Sequence, residues 1–269
     1  MKLLICVLGL GEIGLSTAKY IRNRDLKIFG YDINEDAVKK ASQNGIDASS
    51  EWEKVPDAEV YIVCVSTWNT IGQHDLSHVF SISEKVSSRA NKETLVSIES
   101  TILPGVSRKI YSSIFKEDVK LVHVLHRFWA EDPVNYGVGQ PRVIGAVNQI
   151  SLESGEKFYR DLLDIPLHKV SSIEESEMCK ISENAYRYVL ISFAEELKMI
   201  CHDLKIDFKE VQEACNTKWN TEILDARDGI GGKCLPTDRH SLATLTKHRT
   251  LLEAAKKVDE QYREWVRRS

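Results

Sequence analysis

Three glycines near the start of the chain, Gly9, Gly11 and Gly14, form a Gly-x-Gly-x-x-Gly pattern between two segments of different periodicity. The preceding run LLICVLGL is continuously apolar, as a strand buried on both faces of a sheet should be. A helical pattern follows from about Ile13 to Arg24. Such a turn lets the backbone approach a phosphate group, which the helix N-terminus then stabilises. We therefore expect a strand–turn–helix unit that binds a phosphorylated ligand.

Asp32 makes this expectation more specific. It ends the second predicted strand, KIFGYD, about 20 residues after the glycines. A carboxylate at this point accepts hydrogen bonds from the ribose hydroxyls of a dinucleotide, and it disfavours the 2′-phosphate of NADP. The expected cofactor is therefore NAD. The residues of the turn expected to bind it are Gly9, Gly11, Glu12, Ile13 and Gly14.

Strands and helices alternate through residues 1–172. After the second strand we predict helices over Glu35–Gln43, around 75–89, after Pro104 and near 151–163, and strands at VYIVCVS, TLVSIES, KLVHVL and PLHKV, with an apolar run, RVIGAV, between the last two strands. The loop between KIFGYD and VYIVCVS is expected to run almost directly from Asn44-Gly45 to the next strand. Alternation of this kind predicts an α/β fold, a Rossmann domain with a doubly wound parallel sheet.

Residues 173–269 have a different character and predict a small all-α domain. Apolar residues recur at helical spacing from about Glu174 to Leu204, which indicates one long helix. Shorter helices are expected near Phe208–Cys215 and from Asp238 onward. Between them lies DGIGGKCLPTD, the glycine-rich turn of this half.

Composition excludes several classes of function. The net charge is −4 and the pI is about 6.1, so nothing in the overall charge favours nucleic acid. The apolar runs are far shorter than the roughly 18 residues that a membrane span needs. Six cysteines without metal-type spacing are typical of reduced thiols in a cytoplasmic protein. His74 and His78 lack a nearby third ligand, so we expect no metal there.

Cys234 is a candidate nucleophile, because the glycines of its turn let the loop fold closely around it and Asp238 lies near. Lys180 and Asn184 are spaced one helical turn apart, so an ammonium and an amide share one face of the long helix. They could polarise a carbonyl and hold a thiolate. The plainer interpretations are a buried inert cysteine and a solvated lysine.

Together these residues resemble the UDP-glucose/GDP-mannose dehydrogenase family of nucleotide-sugar dehydrogenases, including its UDP-N-acetylmannosamine branch. The segment from Gly231 to Asp238 matches that family's GGxCxPxD signature. The remaining matches are Glu177–Lys180 with Glu183–Ala185 (the helix of the catalytic Lys and Asn), Ser100-Thr101 with Pro104-Gly105 (the STxxPG turn), and Val65-x-Thr67 (part of the V-x-T-P turn). The similarity spans most of the chain. The chain resembles a short form of the family that lacks the C-terminal nucleotide-binding domain.

The resemblance implies a four-electron oxidation of a sugar alcohol to a carboxylate with two NAD. Cys234 would trap the aldehyde as a thiohemiacetal that becomes a thioester. Lys180 and Asn184 would stabilise the oxyanion, while Asp238 and Thr101 would position a water. The cofactor would also contact Val65, Ser66, Thr67, Ser100 and Thr101. The family's packing of the long helix against its mate implies a homodimer.

Some positions depart from the family pattern. Leu125-His126-Arg127 replaces a Pro-Glu-x turn, so His126 is a candidate base for hydrolysis, although a packing histidine is the simpler interpretation. Glu12 replaces an aromatic residue, and Trp68 replaces a proline. Two alternatives stay open: a two-electron β-hydroxyacid-type dehydrogenase that needs no cysteine, and a non-catalytic NAD-binding protein.

Overall fold

The computed structural model describes residues 3–68 and 74–268 of the chain. They fold into two compact units, Met1–Lys180 and Ile181–Ser269. The expected α/β domain followed by a helical region with one long helix is confirmed. No helix within the described residues is both long and apolar enough to cross a membrane.

The first unit is built on one eight-stranded sheet with the order β3-β2-β1-β4-β5-β6-β7-β8. Its strands are β1 (Leu4–Leu8), β2 (Lys27–Tyr31), β3 (Asp47–Ser49), β4 (Val60–Val63), β5 (Leu95–Ile98), β6 (Lys120–Val124), β7 (Arg142–Ala146) and β8 (Leu167–Lys169). The first six strands pair in parallel and follow the order 3-2-1-4-5-6 of dinucleotide-binding sheets.

Helices cover both faces of this sheet. They are α1 (Glu12–Arg22), α2 (Glu35–Gln43), α3 (Ser77–Ser87), α4 (Val106–Ser113) and α5 (Gln149–Glu156), which continues into a π-helical segment, Lys157–Leu162. Ile5 and Val7 of β1 pack in a cluster with α1 side chains, whereas Cys6 and Leu8 pack on the opposite face with α3 and α4. Burial on both faces explains why β1 is continuously apolar.

The sheet differs from the sequence prediction in two respects. β7 pairs antiparallel with β6, so β7 and β8 run against the other six strands and the sheet is not wholly parallel. The loop after Asn44-Gly45 is also less direct than expected, because β3 and a 3-10 turn, Trp52–Lys54, lie before β4. β3 has only three residues, Asp47–Ser49, too few to give a recognisable strand pattern.

The second unit is helical. The long helix α6 (Ile173–Leu204) begins in the first unit and continues into the second, followed by α7 (Phe208–Asn216), α8 (Cys234–Leu245) and α9 (Thr250–Arg268). Two small clusters form its core, one around Tyr262 and the other around Tyr188 and Ile230. α8 begins at Cys234, four residues before the predicted start at Asp238, because Pro236 is tolerated in the first turn of a helix.

Candidate functional site

The glycine turn between β1 and α1 requires glycine at two positions for different reasons. Gly9 has a φ of +94°, and a Cβ there would lie 2.7 Å from the carbonyl oxygen of Cys64. A Cβ on Gly14 would lie 1.8 Å from the carbonyl oxygen of Gly9, so α1 can approach the turn only without a side chain there. The turn is thus held close to the carboxyl ends of β1 and β4.

The N-terminus of α1 is open to a ligand. Gly11 occupies its N-cap position and has no side chain with which to cap it, and a Cβ there would meet no atom within 4 Å. The first amides of a helix lack intrahelical partners and carry partial positive charge. Glu12 begins the helix with its side chain exposed, and Ile13 is half-buried. The backbone rather than a side chain therefore offers donors at this point.

Asp32 follows β2 with its carboxylate fixed by two backbone amides. Its Oδ2 accepts from the Leu10 N–H at 2.6 Å, and its Oδ1 accepts from the Asn34 N–H at 2.9 Å. Each oxygen keeps a further lone pair for a ligand. The carboxylate is thereby tied to the glycine turn itself through Leu10.

A cleft of about 240 Å³ opens at this end of the sheet. Five of the predicted cofactor-binding residues line it, namely Gly9, Gly11, Asp32, Val65 and Ser66. The other lining residues are Tyr31, Ile33, Cys64, His78, Ser81, Ile82 and Lys85. Close-approach glycines, an open helix N-terminus and a fixed carboxylate fit the pyrophosphate and ribose of NAD.

The wall of the cleft formed by α3 was absent from the sequence prediction. His78 and Lys85 line the cleft, and the Lys85 ammonium donates to the Tyr31 hydroxyl at 2.9 Å. A strand followed by a helix is visible in the sequence, but the face that α3 turns toward the cleft depends on the strand order. In the sequence, the one sign that α3 borders the cleft is that this helix directly follows β4.

Four further predicted residues, Ser100, Thr67, Thr101 and Ile13, do not line the cleft, and the first two of them contact backbone beside it. Ser100 donates through Oγ to the Val65 carbonyl at 2.8 Å, which joins the ends of β4 and β5. Thr67 is buried, and its carbonyl accepts from the Asp75 N–H at 2.8 Å. Thr101 is half-buried, as is Ile13.

Lys180 is oriented by backbone of the first unit. Its ammonium donates to the His126 carbonyl at 2.8 Å. One turn earlier on α6, Glu177 accepts from the Gly105 and Ser107 amides at 2.6 and 2.8 Å, so it caps α4. The helix that carries Lys180 is thereby fixed to the start of α4.

The His126 side chain belongs to the core. It is 4% exposed, and its Nδ1 accepts from the Phe128 N–H at 3.0 Å. Burial lowers the pKa of His126 well below its usual range, and the positive charges of Arg142 and Lys180 lower it further. These surroundings favour a neutral packing histidine.

Beside His126 lies a buried polar network that the sequence did not indicate. Glu99 Oε1 accepts from Arg142 Nη1 at 2.8 Å and from the Tyr159 hydroxyl at 2.7 Å. Arg142 and Tyr159 are fully buried, and the hydroxyl of Ser97 lies 2.7 Å from that of Tyr159. Burial, followed by the charge of Glu99, raises the pKa of Tyr159 well above its usual range. The network joins β5, β7 and the π-helical segment.

The second unit brings Asn184 and Asp238 together. Asn184 Nδ2 donates to Asp238 Oδ2 at 2.6 Å, and Asp238 is only 2% exposed. Cys234 precedes Asp238 by one turn of α8, is exposed, and is the first residue of that helix. An exposed thiol at a helix N-terminus lies where the partial positive charge of the helix favours an anion.

Comparison with known proteins gives two family matches. The NAD binding domain of the UDP-glucose/GDP-mannose dehydrogenase family matches residues 39–163, and the central domain of the same family matches residues 174–261.

Individual relatives agree with these matches. UDP-N-acetyl-D-mannosamine dehydrogenase of Methanococcus maripaludis is 26% identical over 97% of this chain and 66% of its own length. A structure of UDP-D-ManNAc dehydrogenase from Pyrococcus horikoshii has a TM-score of 0.86 at 27% identity, covering 96% of this chain and 68% of that one. The chain thus spans about two thirds of the length of these relatives. A 3-hydroxyisobutyrate dehydrogenase from Mycobacterium tuberculosis shares the fold alone, with a TM-score of 0.77 at 15% identity, covering 98% of this chain and 94% of that one.

Proposed function

Since the chain belongs to the UDP-glucose/GDP-mannose dehydrogenase family, we propose that it catalyses the NAD-dependent oxidation of a nucleotide-sugar alcohol to a carboxylate. The observation that carries the proposal is the Asn184–Asp238 hydrogen bond, one helical turn from an exposed Cys234. A substrate of the UDP-N-acetylmannosamine type is favoured by the relatives that match most of the chain.

The cofactor is NAD, as the match to the family's NAD binding domain indicates. When bound, NAD supplies the hydride acceptor for each of the two oxidation steps. We assign the pyrophosphate to the backbone around Gly9, Gly11 and Gly14, and the adenine ribose to Asp32. The open N-terminus of α1 and the two fixed oxygens of Asp32 support this assignment. The remaining residues proposed to contact NAD are Glu12, Ile13, Val65, Ser66, Thr67, Ser100 and Thr101.

Cys234 is the proposed nucleophile. Its thiolate adds to the carbonyl carbon of the aldehyde formed in the first step and gives a thiohemiacetal, which the second step converts to a thioester. Water then releases the carboxylate and regenerates the thiol. A nearby ammonium and amide stabilise the charge on the former carbonyl oxygen, and we assign this to Lys180 and Asn184. We assign to Asp238 and Thr101 the positioning of the water.

His126 is given a structural part in this proposal. A buried imidazole that resists protonation and whose Nδ1 is occupied by a backbone amide is a poor candidate to exchange protons with a substrate. Its carbonyl, which orients the Lys180 ammonium, is its proposed contribution.

We further propose that the chain forms a homodimer in the cytoplasm. Tyr186, Phe193, Ile200 and Leu204 recur along one side of α6 and are 66, 56, 48 and 64% exposed. A continuous apolar stripe of this kind on a helix is usually covered by a partner. The second copy of α6 is the proposed cover.

The decisive experiment measures NADH formed from NAD with UDP-N-acetylmannosamine or UDP-glucose. We expect two NADH per sugar, loss of turnover in Cys234→Ser, and unchanged turnover in Cys215→Ser, a matched cysteine on α7. One NADH from a small hydroxy acid, unaffected by Cys234→Ser, would instead support the two-electron alternative. NAD binding without NADH from any of these substrates would contradict catalysis.

A further inference from the structure

Both polar backbone groups of Ile230 are held by α9. The Ile230 N–H donates to Asp259 Oδ1 at 2.8 Å, and the Ile230 carbonyl accepts from Arg263 Nη2. Arg263 Nε also donates to the two oxygens of Asp259 at 3.0 and 3.1 Å. Ile230 is 2% exposed, so water cannot easily replace these partners. The chain is therefore anchored four residues before Cys234.

The glycines on either side of Ile230 differ in how closely other atoms approach them. Gly229 has a φ of +100°, and a Cβ there would lie 2.6 Å from Arg263 Cγ, so the chain enters the anchor tightly packed. A Cβ on Gly231 or Gly232 would meet no atom within 4 Å. Ile230 is thus held by α9 four residues before the thiol, and Gly231 and Gly232, which lie between them, have open space at their Cβ positions.

A second carboxyl group lies beside the anchor. Glu195 of α6 is fully buried, and within the described part of the chain no amide, guanidinium or ammonium group donates a hydrogen bond to it. Burial and the neighbouring Asp259 carboxylate raise the pKa of Glu195 from 4.5 to about 8, and Arg263 opposes this rise. Glu195 is therefore mostly neutral at pH 7.

The hydrogen-bond donors around Glu195 and Asp259 bond to Asp259. The Tyr188 hydroxyl donates to Asp259 Oδ2 at 3.1 Å. Burial raises the pKa of Tyr188 above its usual range, so this hydroxyl keeps its proton at neutral pH. Arg239 of α8 lies 5.7 Å from the centroid of the Tyr188 ring. Because Arg263 is the one cation bonded to Asp259 among the described residues, an ionised Glu195 would place two buried carboxylates beside a single guanidinium.

We propose that Asp259 and Arg263 are positioning residues that fix the loop carrying Cys234, and that ionisation of Glu195 loosens this loop. The importance of the loop for turnover rests on the proposed function, whereas the anchor itself does not. If opening the loop hydrates Glu195, its pKa returns toward 4.5 in the open form. The anchored form is then fully favoured below about pH 4.5 and loses stability as the pH rises to about 8.

Amide hydrogen exchange at Ile230 tests the proposal directly, because its N–H makes the anchoring bond. After division by the intrinsic exchange rate at each pH, we expect protection to fall by up to about tenfold per pH unit between pH 5 and 8. In Glu195→Gln, which is neutral and similar in shape, this fall should disappear. The amides of α7, whose side chains pack in the Tyr262 cluster and not in the cluster that contains Ile230, should not show this pH dependence.

Two outcomes would overturn the proposal. One is an equal pH dependence in the wild type and Glu195→Gln; the other is the same dependence in α7, which would mean that Glu195 affects the whole unit. The α7 comparison uses wild-type protein alone, so it holds even if the variant folds poorly.

A second pair of variants tests the guanidinium. Arg263→Gln should speed exchange at Ile230 at least tenfold, with partial rescue in Arg263→Lys, whereas Arg267→Gln on the same helix should have no effect. Equal exchange in Arg263→Gln and Arg267→Gln would remove Arg263 from the anchor. Absence of NADH formation with the expected exchange pattern would contradict the proposed function and leave the anchor intact.

Discussion

At the scale of single residues, Asp32, the proposed ribose-binding group, has a carboxylate whose orientation is fixed by the protein itself. Both carboxylate oxygens are held by backbone amides, one of them in the glycine turn, so little conformational freedom remains to be lost when a ribose binds. In the proposed assignment, the fixed negative charge favours NAD over NADP, since a 2′-phosphate would approach it closely.

Replacing Asp32 with Ala should therefore weaken NAD binding about 10- to 100-fold, since a hydrogen bond to a charged group contributes roughly 1.5–3 kcal/mol. Titration calorimetry with NAD and NADP measures this, and the NAD to NADP affinity ratio should fall. Asp36→Ala, at an exposed carboxylate in the first turn of α2, is the matched control. An unchanged NAD affinity in Asp32→Ala would restrict Asp32 to holding Leu10 and Asn34.

At the scale of elements, Gly14 and Gly11 at the start of α1 have different expected roles. Gly14 is expected to matter for stability, and Gly11 for NAD binding. Gly14→Ala should destabilise the chain by roughly 1–3 kcal/mol, because its Cβ would overlap the Gly9 carbonyl oxygen and α1 would have to move. Gly11→Ala should change stability by less than about 0.5 kcal/mol, since its Cβ meets no protein atom. Urea unfolding measures both.

NAD titration completes this comparison. Gly11→Ala should still weaken NAD binding, because its methyl group points into the space that the pyrophosphate is proposed to occupy. A stable Gly14→Ala protein, or a Gly11→Ala protein with normal NAD affinity, would contradict the assignment of these roles.

The positions of the helices and strands could be predicted from the sequence, whereas the direction of a strand could not. The strand and helix patterns predict β1, α1, α2 and α6 to within two residues, because apolar periodicity depends only on which faces are buried. That pattern is the same for either strand direction, so RVIGAV gave no indication that β7 runs antiparallel.

The site shows the same limit. That Gly9, Gly11 and Asp32 lie together at one cleft could be predicted, because the glycine pattern and the end of β2 belong to one short strand–turn–helix–strand segment. Lys85 and the Glu99–Arg142 pair could not, because they lie opposite their partners only after the strands have taken their order.

At the scale of the whole molecule, burial of two histidines makes stability depend on pH. Burial lowers the pKa of His123 to about 4 and that of His126 well below its usual range. A histidine with a lowered folded pKa contributes stability above its unfolded pKa of about 6.5 and loses it as the pH falls. From His123 alone, the free energy of unfolding should drop by about 2 kcal/mol between pH 7 and 5.

Urea unfolding of the wild type and of His123→Gln at the two pH values isolates this contribution, because the raised pKa of Glu195 acts in the opposite direction over the same range. The difference in unfolding free energy between pH 7 and 5 should be about 2 kcal/mol smaller in His123→Gln than in the wild type, while His202→Gln, at an exposed position on α6, should match the wild type. Equal pH dependence in His123→Gln and the wild type would show that His123 is not the titrating group.

The proposed dimer gives a second prediction at this scale. Phe193→Glu combined with Ile200→Glu should convert the protein to a monomer in light scattering, because two charges would enter the apolar stripe of α6. Leu251→Glu, at an exposed apolar position on α9, should leave the assembly unchanged. A monomeric wild type would contradict the proposed dimer.

The buried pair of Glu99 and Arg142 restricts which substitutions the sequence can accept during evolution. Removing either partner alone leaves an uncompensated charge in the core, at a cost of roughly 3–5 kcal/mol, whereas replacing both with apolar residues of similar volume is often nearly neutral. Selection should therefore remove single substitutions at position 99 or 142 and tolerate paired substitutions at both. Two residues 43 positions apart in the chain are in this respect one inherited unit.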